Sequence, residues 1–169
     1  MLVAAMNPCP CGYFPDRNKC SCTPFQIRRY QQKISGPLLD RIDINMEVKP
    51  VRYDDIFTES EEENSDTIRA RVEKVRWIQR QRYAEDNLSF NSQLEGKLIK
   101  KYIRLEDKVD VYFKDRLKKL ELSARGIDRI LKLSQTIADM AGSDKIREDH
   151  INEAIFYRNS GLFEYKEGR

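Results

Sequence analysis

The sequence predicts a mainly α-helical protein, with short strands and a four-cysteine loop at the N-terminal end and a helical bundle after them. Charged residues make up 35% of the 169 residues and hydrophobic residues 40%, which is typical of soluble, helix-rich chains that bury a core. All four cysteines lie within the first 22 residues. From about residue 66 onward, apolar residues recur every three or four positions, which is the period of a helix with one buried face.

The chain opens on an apolar run, MLVAAM, which ends at Asn7 and Pro8. A short apolar run closed by a turn-forming pair predicts a buried strand over residues 1–6. The run is too short for a membrane span or a signal sequence. We therefore expect a cytoplasmic protein with no membrane partner.

Cys9, Cys11, Cys20 and Cys22 form two C-x-C pairs joined by a short loop. Reducing compartments disfavour disulfides, so clustered cysteines there more often bind a metal. Gly12 frees the backbone after the first pair, and the turn-forming stretch PDRN folds the second pair back. Four thiolates at about 2.3 Å fill a tetrahedral zinc shell, which predicts a structural rather than a catalytic zinc. Free or disulfide-forming thiols and an iron–sulfur cluster are the alternatives.

Two helices and one more strand are predicted after the cysteines. A Thr-Pro pair at 23–24 predicts a capped helix that runs to about residue 34, and a Gly-Pro pair at 36–37 starts a shorter one. Alternating apolar residues predict a strand over 43–49, which a proline ends.

An acidic, polar stretch, TESEEENSD, then divides the chain. It predicts an N-terminal part over residues 1–57, a linker over 58–65 and a helical part over 66–169. Caps and apolar periods in the last part predict helices at about 66–83, 98–103, 106–120, 124–141 and 147–158.

The predicted helices carry caps and apolar stripes that suit an independent bundle. Ser65 and Ser123 are the predicted N-caps, and Gly142 is placed to end a helix. The predicted buried positions are Ile68, Val72, Val75 and Ile78, then Val109, Phe113, Leu117 and Leu120, then Ile127, Ile130, Leu131, Ser134, Ile137, Ala138 and Ala141, and finally Ile151, Ala154 and Ile155.

Several nucleotide-binding and catalytic motifs are absent from the 169 residues. No G-x4-G-K-[ST] phosphate loop occurs, and no run of four apolar residues ends in Asp-Glu. With a single histidine, His150, the sequence offers no Ser-His-carboxylate constellation. The chain by itself therefore has no visible means to hydrolyse a nucleotide, and its net charge of +3 permits a nucleic-acid partner without requiring one.

Arg125 lies two residues after Ser123, in the first turn of a predicted helix. A cation there opposes the helix dipole, at a cost of about 0.3–1 kcal/mol. Gly126 beside it adds up to about 1 kcal/mol relative to alanine. These two residues suit a helix end that faces an anion, whereas the alternative is a solvated arginine that pairs with Asp128 or a neighbouring residue.

Arg41 lies between apolar residues at the junction of a predicted short helix and a predicted strand. An arginine at such a junction is held stiffly, and a held guanidinium suits an interface where it reaches a neighbouring subunit's phosphate. The alternative is a salt bridge to Asp40 or Asp43.

Five runs together carry a family resemblance: LVAAMNPCPCGY, QIRRY, SGPLLDRIDI, SARGIDRILKLSQTIADMAG and HINEAIFYR. They resemble the magnesium-chelatase-like AAA+ ATPases of the competence-protein ComM (YifB) family, from Leu2 to about Arg158. The resemblance implies a C-terminal fragment, in which the end of an AAA+ core, with remnant strands and the four-cysteine loop, precedes a helical lid. It also implies that the Walker motifs lie upstream.

The resemblance implies roles for three residues. Asn7 resembles sensor 1, Arg41 resembles the arginine finger that acts on ATP in the adjacent subunit, and Arg125 resembles the sensor 2 arginine of the lid. The four cysteines resemble an insertion of the competence-type members, which implies a zinc-stabilised loop. ATP and magnesium are implied for the parent protein and are not expected on the fragment.

The function implied is that of a homo-hexameric DNA motor, a helicase that promotes branch migration in natural transformation. Two alternatives are kept open. One is a zinc-dependent nucleic-acid-binding module that uses the basic helix at 66–83, and the other is a magnesium chelatase subunit.

Overall fold

The computed structural model describes residues 2–51, 63–105, 107–120 and 122–159, and in these ranges the chain is mainly helical, as predicted. Short 3-10 turns lie at Ala84–Asp86 and Asn91–Gln93. No helix in the described ranges is long and apolar enough to cross a membrane. The α-helices are α1 (Pro24–Gln31), α2 (Gly36–Leu39), α3 (Ser65–Arg82), α4 (Lys97–Tyr102), α5 (Asp107–Leu120), α6 (Ala124–Met140) and α7 (Glu148–Asn159).

The chain divides into two compact units, one within Met1–Glu47 and one within Val48–Arg158, and each is described by itself. The first unit holds α1 and α2, and the second holds α3 to α7. The linker predicted over 58–65 falls mostly outside the described residues. The predicted domain boundaries therefore stay predictions.

The two predicted strands are absent from the structure. Residues 2–6 and 43–49 form neither strand nor helix, and the apolar side chains of both segments are largely exposed. A strand needs a neighbour to complete its ladder of hydrogen bonds. The β-type pairing found among the described residues is a single parallel bridge between Leu105 and Ile146. The strand predictions are therefore wrong for this chain, whereas the mainly α prediction is confirmed.

Both helices of the first unit begin as the sequence predicts. Thr23 Oγ1 accepts a hydrogen bond from the Gln26 N–H at 3.3 Å, and Gln26 Oε1 accepts one from the Thr23 N–H at 2.8 Å. This reciprocal capping box, followed by Pro24 as the first helical residue, fixes the start of α1. Ser35 caps α2 by accepting a hydrogen bond from the Leu38 N–H at 3.4 Å.

The first helix of the second unit, α3, is packed only along its C-terminal half. Its cap is Asn64, whose Oδ1 accepts a backbone hydrogen bond at 2.8 Å, so the predicted Ser65 cap is one residue too late. Residues 63–74 are exposed, and of the predicted apolar stripe only Val75 is buried. Gln79 joins it in the buried face, because the rest of the unit contacts this end of the helix.

The hydrophobic core of the second unit combines α5, α6 and α7 with the segment between α3 and α5. On α6 the predicted positions Ile130, Ser134 and Ala138 are buried, whereas Ala141 is exposed. The segment between α3 and α5 was not predicted to supply core residues, yet it supplies a third of them. The core residues are Tyr83, Leu94, Ile99, Ile103, Val109, Phe113, Ile130, Ala138, Ile146, Ile151, Ala154 and Ile155.

Helix α6 is capped at both ends, as the sequence predicts. Ser123 Oγ accepts a hydrogen bond from the Gly126 N–H at 3.1 Å. At the other end, Gly142 has a φ of 66°, a conformation that glycine adopts without strain. The N–H groups of Gly142 and Ser143 bond back to α6 carbonyls at 3.2 and 2.9 Å. These two bonds form a Schellman motif, which ends the helix.

A buried carboxylate joins α3, α6 and the segment between α3 and α4. The Asp139 side chain is 0% exposed, and both guanidinium nitrogens of Arg82 donate to it, at 2.5 and 3.0 Å. The side-chain amides of Gln79, Asn91 and Gln135 donate to it at 3.2, 2.9 and 3.1 Å. A buried carboxylate without donors would be strongly destabilising, so these bonds fix the three elements relative to one another.

Asn91 extends this polar network into the core. Its Oδ1 accepts a hydrogen bond from the Tyr83 hydroxyl at 2.5 Å, and its Nδ2 donates to Thr136 Oγ1 at 2.9 Å. Its N–H donates to Gln79 Oε1 at 3.1 Å. Burial raises the pKa of the Tyr83 hydroxyl, which keeps its proton and remains a donor.

We expect Asp139→Ala to lower the free energy of unfolding of the second unit by about 3–5 kcal/mol, because it leaves buried donors without an acceptor. Chemical denaturation followed through Trp77, the single tryptophan of the chain, measures this. Asp66→Ala is the matched control, because Asp66 pairs with Arg69 at 3.3 Å on the exposed face of α3. Equal stability of the two variants would contradict the role given to the network.

Candidate metal and nucleotide sites

The four cysteines come together in the first unit. Their Sγ atoms all lie within 4.8 Å of one another, with Cys9 buried and the other three partly buried. Cys9 Sγ lies 3.3 Å from Cys11 Sγ and 3.8 Å from Cys20 Sγ, and Cys11 Sγ lies 3.6 Å from Cys20 Sγ. All four are free thiols. The sequence prediction that the two C-x-C pairs converge is confirmed.

Backbone turns bring the two pairs together. Gly12 has a φ of 84°, and its N–H donates to the Cys9 carbonyl at 3.1 Å. The Phe14 N–H donates to Cys9 Sγ at 3.4 Å. The Asp16 carbonyl accepts the Cys20 N–H at 2.8 Å, which starts the second pair. Backbone donors aimed at a sulfur stabilise its thiolate form, as in metal-binding cysteine loops.

Helix α1 anchors the loop from outside the cysteine pairs. Ile27 is 0% exposed, and Gln31 Nε2 donates a hydrogen bond to the Pro8 carbonyl at 3.1 Å. The hydrogen bond therefore ties α1 to Pro8, the residue directly before Cys9. No sequence pattern predicted the contact between Gln31 and Pro8.

The spacing of the sulfurs fits one metal ion. In a tetrahedral shell with bonds of about 2.3 Å, adjacent sulfurs lie about 3.8 Å apart, because the edge of a tetrahedron is about 1.63 times its centre-to-corner distance. The separations among Cys9, Cys11 and Cys20, at 3.3, 3.8 and 3.6 Å, are close to that value, and all four sulfurs lie within 4.8 Å of one another. An iron–sulfur cluster spreads its cysteine ligands over two or four irons and needs wider spacing. A disulfide needs sulfurs at about 2.05 Å.

Three of the thiols differ in acidity. The Tyr13 N–H stabilises the Cys11 thiolate and lowers its pKa to about 6. Desolvation raises the pKa of Cys22 to about 12. At Cys20 the Cys22 N–H favours the thiolate, but desolvation and the neighbouring thiols outweigh it and raise the pKa. A bound cation would offset the repulsion between thiolates and release the remaining protons.

Asn7, the predicted sensor 1 residue, lies directly before the cysteine loop and is exposed. Its side chain lies over Gly12, since a Cβ built at Gly12 would be 3.6 Å from Asn7 Nδ2. The folded loop therefore fixes the chain on the C-terminal side of Asn7. Its sensor role stays a prediction.

Arg41, the predicted arginine finger, is exposed and follows α2. Its guanidinium Nη1 donates to the Pro37 carbonyl at 2.8 Å, and its backbone N–H donates to the Leu38 carbonyl at 3.0 Å. Both bonds tie Arg41 to its own helix, which agrees with an arginine held in place. The finger role stays a prediction.

Arg125, the predicted sensor 2 arginine, is exposed in the first turn of α6, and this turn contains no acidic residue. The pair with Asp128 that the sequence left open does not form in the structure. Arg125 belongs to the second unit, whereas Asn7, Arg41 and the cysteines belong to the first.

A second guanidinium lies beside the first turn of α6. Gly126 is buried, and a Cβ built there would lie 3.5 Å from Arg158 Nη2 and from Ser123 Oγ. This is ordinary van der Waals contact, so Arg158 packs against the helix start without a clash. Its only sequence signal was its place at the end of the run HINEAIFYR.

The basic helix α3 has most of its cations engaged within the second unit. Arg71 forms a two-bond ion pair with Glu63, at 2.7 and 3.0 Å. Arg69 pairs with Asp66, and Arg82 with the buried Asp139. The Arg76 guanidinium stacks 5.2 Å from the centre of the Phe90 ring.

Comparison with known proteins places the chain in a family. The magnesium chelatase subunit ChlI C-terminal family model matches residues 62–158, and the magnesium chelatase subunit ChlI model matches residues 1–56. The chain belongs to the magnesium chelatase subunit ChlI family. The match over 62–158 covers most of the second unit, which holds the Asp139 network, and the match over 1–56 covers the first unit, which holds the four cysteines.

Curated relatives of this family resemble the chain over most of its length. Competence protein ComM of Haemophilus influenzae is 40% identical over 93% of the chain, and YifB of Salmonella typhimurium is 39% identical over 93%. The uncharacterised protein Rv2897c of Mycobacterium tuberculosis is 32% identical over 95%. The chain spans about 30% of the length of these relatives. The family prediction made from the sequence is confirmed.

We expect Arg125→Ala to leave the melting temperature of the chain unchanged or slightly raised, because the exposed cation opposes the α6 dipole and the first turn of α6 contains no acidic residue. Melting followed by circular dichroism measures this. Arg82→Ala is the destabilised control, because it removes the charged partner of Asp139. A drop of several degrees in the Arg125 variant would show that this arginine is structural.

Proposed function

We propose that the chain forms the sensor and lid part of an AAA+ ATPase that works as a homo-hexamer on DNA and drives branch migration. The observation that carries this proposal is the exposed Arg125 at the start of α6, a cation at a helix end that favours anions. Membership of the family and the likeness to a competence protein support it. A γ-phosphate is the anion that suits this position in such an enzyme.

Three residues of the chain have roles in the proposed ATP site. Asn7 orients the attacking water, Arg41 of one subunit reaches the γ-phosphate bound to its neighbour, and Arg125 contacts the same phosphate from the lid. The phosphate loop and the acidic magnesium ligand come from sequence outside these 169 residues, which contain neither. Positioned cations of this kind stabilise the charge of the transferring phosphoryl group.

The cysteine loop has a structural part in this proposal. One zinc ion bound by Cys9, Cys11, Cys20 and Cys22 holds the loop that follows Asn7. The near-tetrahedral sulfur spacing supports zinc, and the closed shell of four thiolates leaves no position for a substrate. A cytoplasmic location fits, because thiols stay reduced there.

Two other functions have weaker support. A nucleic-acid-binding module that relies on α3 needs free cations along that helix, but several are paired with carboxylates or stacked. A chelatase subunit is named by the family description, whereas the curated relatives matched over 93% of the chain include a competence protein.

Turnover of ATP by the full-length protein tests the proposal. We expect Arg41→Ala to lower kcat by about 10³-fold or more, as for other arginine fingers, and Arg125→Ala to lower it by at least about tenfold. Arg80→Ala on α3 is the matched control and should keep normal turnover. The 169-residue chain alone should release no phosphate. Normal turnover in both the Arg41 and the Arg125 variants would contradict the proposal.

Elemental analysis tests the metal. We expect about one zinc per chain in purified protein and a large loss of metal when any one cysteine is replaced by serine. A Ser21→Ala variant, with its change inside the same loop, should keep its zinc. Iron at one atom per chain, or four thiols that react at once with a labelling reagent, would show that the zinc assignment is wrong.

A further inference from the structure

The surface around the cysteine loop is basic and carries exposed aromatic rings. Residues 7–34 contain five cations and one carboxylate, a net charge of +4, whereas the whole chain has +3. A zinc ion with four thiolates contributes about −2, so a positive surplus remains. Those cations are Arg17, Lys19, Arg28, Arg29 and Lys33, and all of them are exposed.

Helix α1 carries two of these cations, Arg28 and Arg29, on its exposed surface. Ile27 and Gln31 are buried, so they define the inner side of the helix. Phe25 and Arg29 lie on the opposite side, and Arg28, three residues after Phe25, lies beside them on the exposed flank. Phe25 is 67% exposed, although a ring of this size is usually covered.

A helix dipole alone does not explain this face. Cations in the last turn of a helix are favoured by its dipole, which accounts for Arg28 and Arg29 by position. It does not account for an exposed phenylalanine in the first turn. Tyr13, in the cysteine loop of the same unit, is 56% exposed as well. Cations interleaved with open aromatic rings form the surface that single-stranded nucleic acids bind.

We propose that the outer face of α1, formed by Phe25, Arg28 and Arg29 and called the α1 face below, binds single-stranded DNA. One turn of helix, about 5 Å along the axis, separates the backbone of Phe25 from that of the two arginines. A base can then stack on Phe25 while the neighbouring phosphates contact the two arginines. The choice of DNA over RNA rests on the proposed function.

Fluorescence anisotropy of a labelled oligo(dT) with the zinc-loaded 169-residue chain tests this, at about 50 mM salt where phosphate contacts are strong. We expect Arg28→Glu/Arg29→Glu to weaken binding by at least about tenfold. Its neutral form, Arg28→Gln/Arg29→Gln, should reduce the slope of log affinity against log salt by about 1.4, since each phosphate contact on a single strand contributes about 0.7. Phe25→Ala should weaken binding by about 5- to 100-fold.

The matched control is Lys74→Glu/Arg80→Glu on α3, which changes the net charge equally and should alter affinity by less than about twofold. Zinc content, measured for every variant, identifies any that has lost its fold. Equal weakening by the two charge reversals would show that binding follows net charge, and that outcome overturns the proposal. Three further outcomes would also overturn it: no binding by the unaltered chain, equal affinity for duplex DNA, or tighter binding of oligo(rU).

The assay contains no ATP, so its outcome is separate from that of the turnover test. Loss of turnover in the Arg41 and Arg125 variants, with no oligo(dT) binding by the unaltered chain, would contradict DNA binding by the α1 face and support the proposed ATPase function. Selective oligo(dT) binding through the α1 face, with unaffected turnover in those variants, would support DNA binding by this face and contradict the proposed roles of Arg41 and Arg125 in an ATPase.

Discussion

The buried carboxylate of Asp139 is the constraint on which the helical unit depends. Arg82 balances its charge, and three side-chain amides, from α3, from α6 and from the segment between them, donate hydrogen bonds to it. Because this end of α6 cannot move without breaking those bonds, the direction of the helix is fixed. The Ser123 cap fixes its start. Arg125 is therefore presented to solvent by a rigid helix. A residue that binds a ligand in a precise position needs such a rigid support.

The cysteine loop plays the corresponding part in the first unit. This segment has few buried apolar side chains. It is held by the four sulfurs, which lie within 4.8 Å of one another, by two backbone turns and by the hydrogen bond from α1 to Pro8. Small units that bury little apolar surface commonly need a metal or a covalent link for stability. The same loop fixes the chain next to Asn7. Each unit thus combines a cluster of polar or thiol side chains with an exposed residue of the proposed ATP site.

Local signals in the sequence predicted the helices well, since caps such as Thr23, Ser123 and Gly142 act within a few residues. The convergence of the cysteines was predictable for the same reason. The strand predictions for residues 1–6 and 43–49 were wrong, because a strand depends on a partner that the sequence pattern does not reveal. The Asp139 network, whose members lie up to 60 residues apart, was not predictable either. Polar residues at buried helix positions, such as Gln79 and Gln135, were its only signal.

A structure of the full-length protein with a non-hydrolysable ATP analogue tests the central claim most directly. The claim is that the rigid start of α6 presents Arg125 to the nucleotide. It predicts the Arg125 guanidinium at hydrogen-bonding distance, about 2.9 Å, from an oxygen of the γ-phosphate. A nucleotide bound in the expected place, with Arg125 left in solvent as it is in this structure, would contradict it.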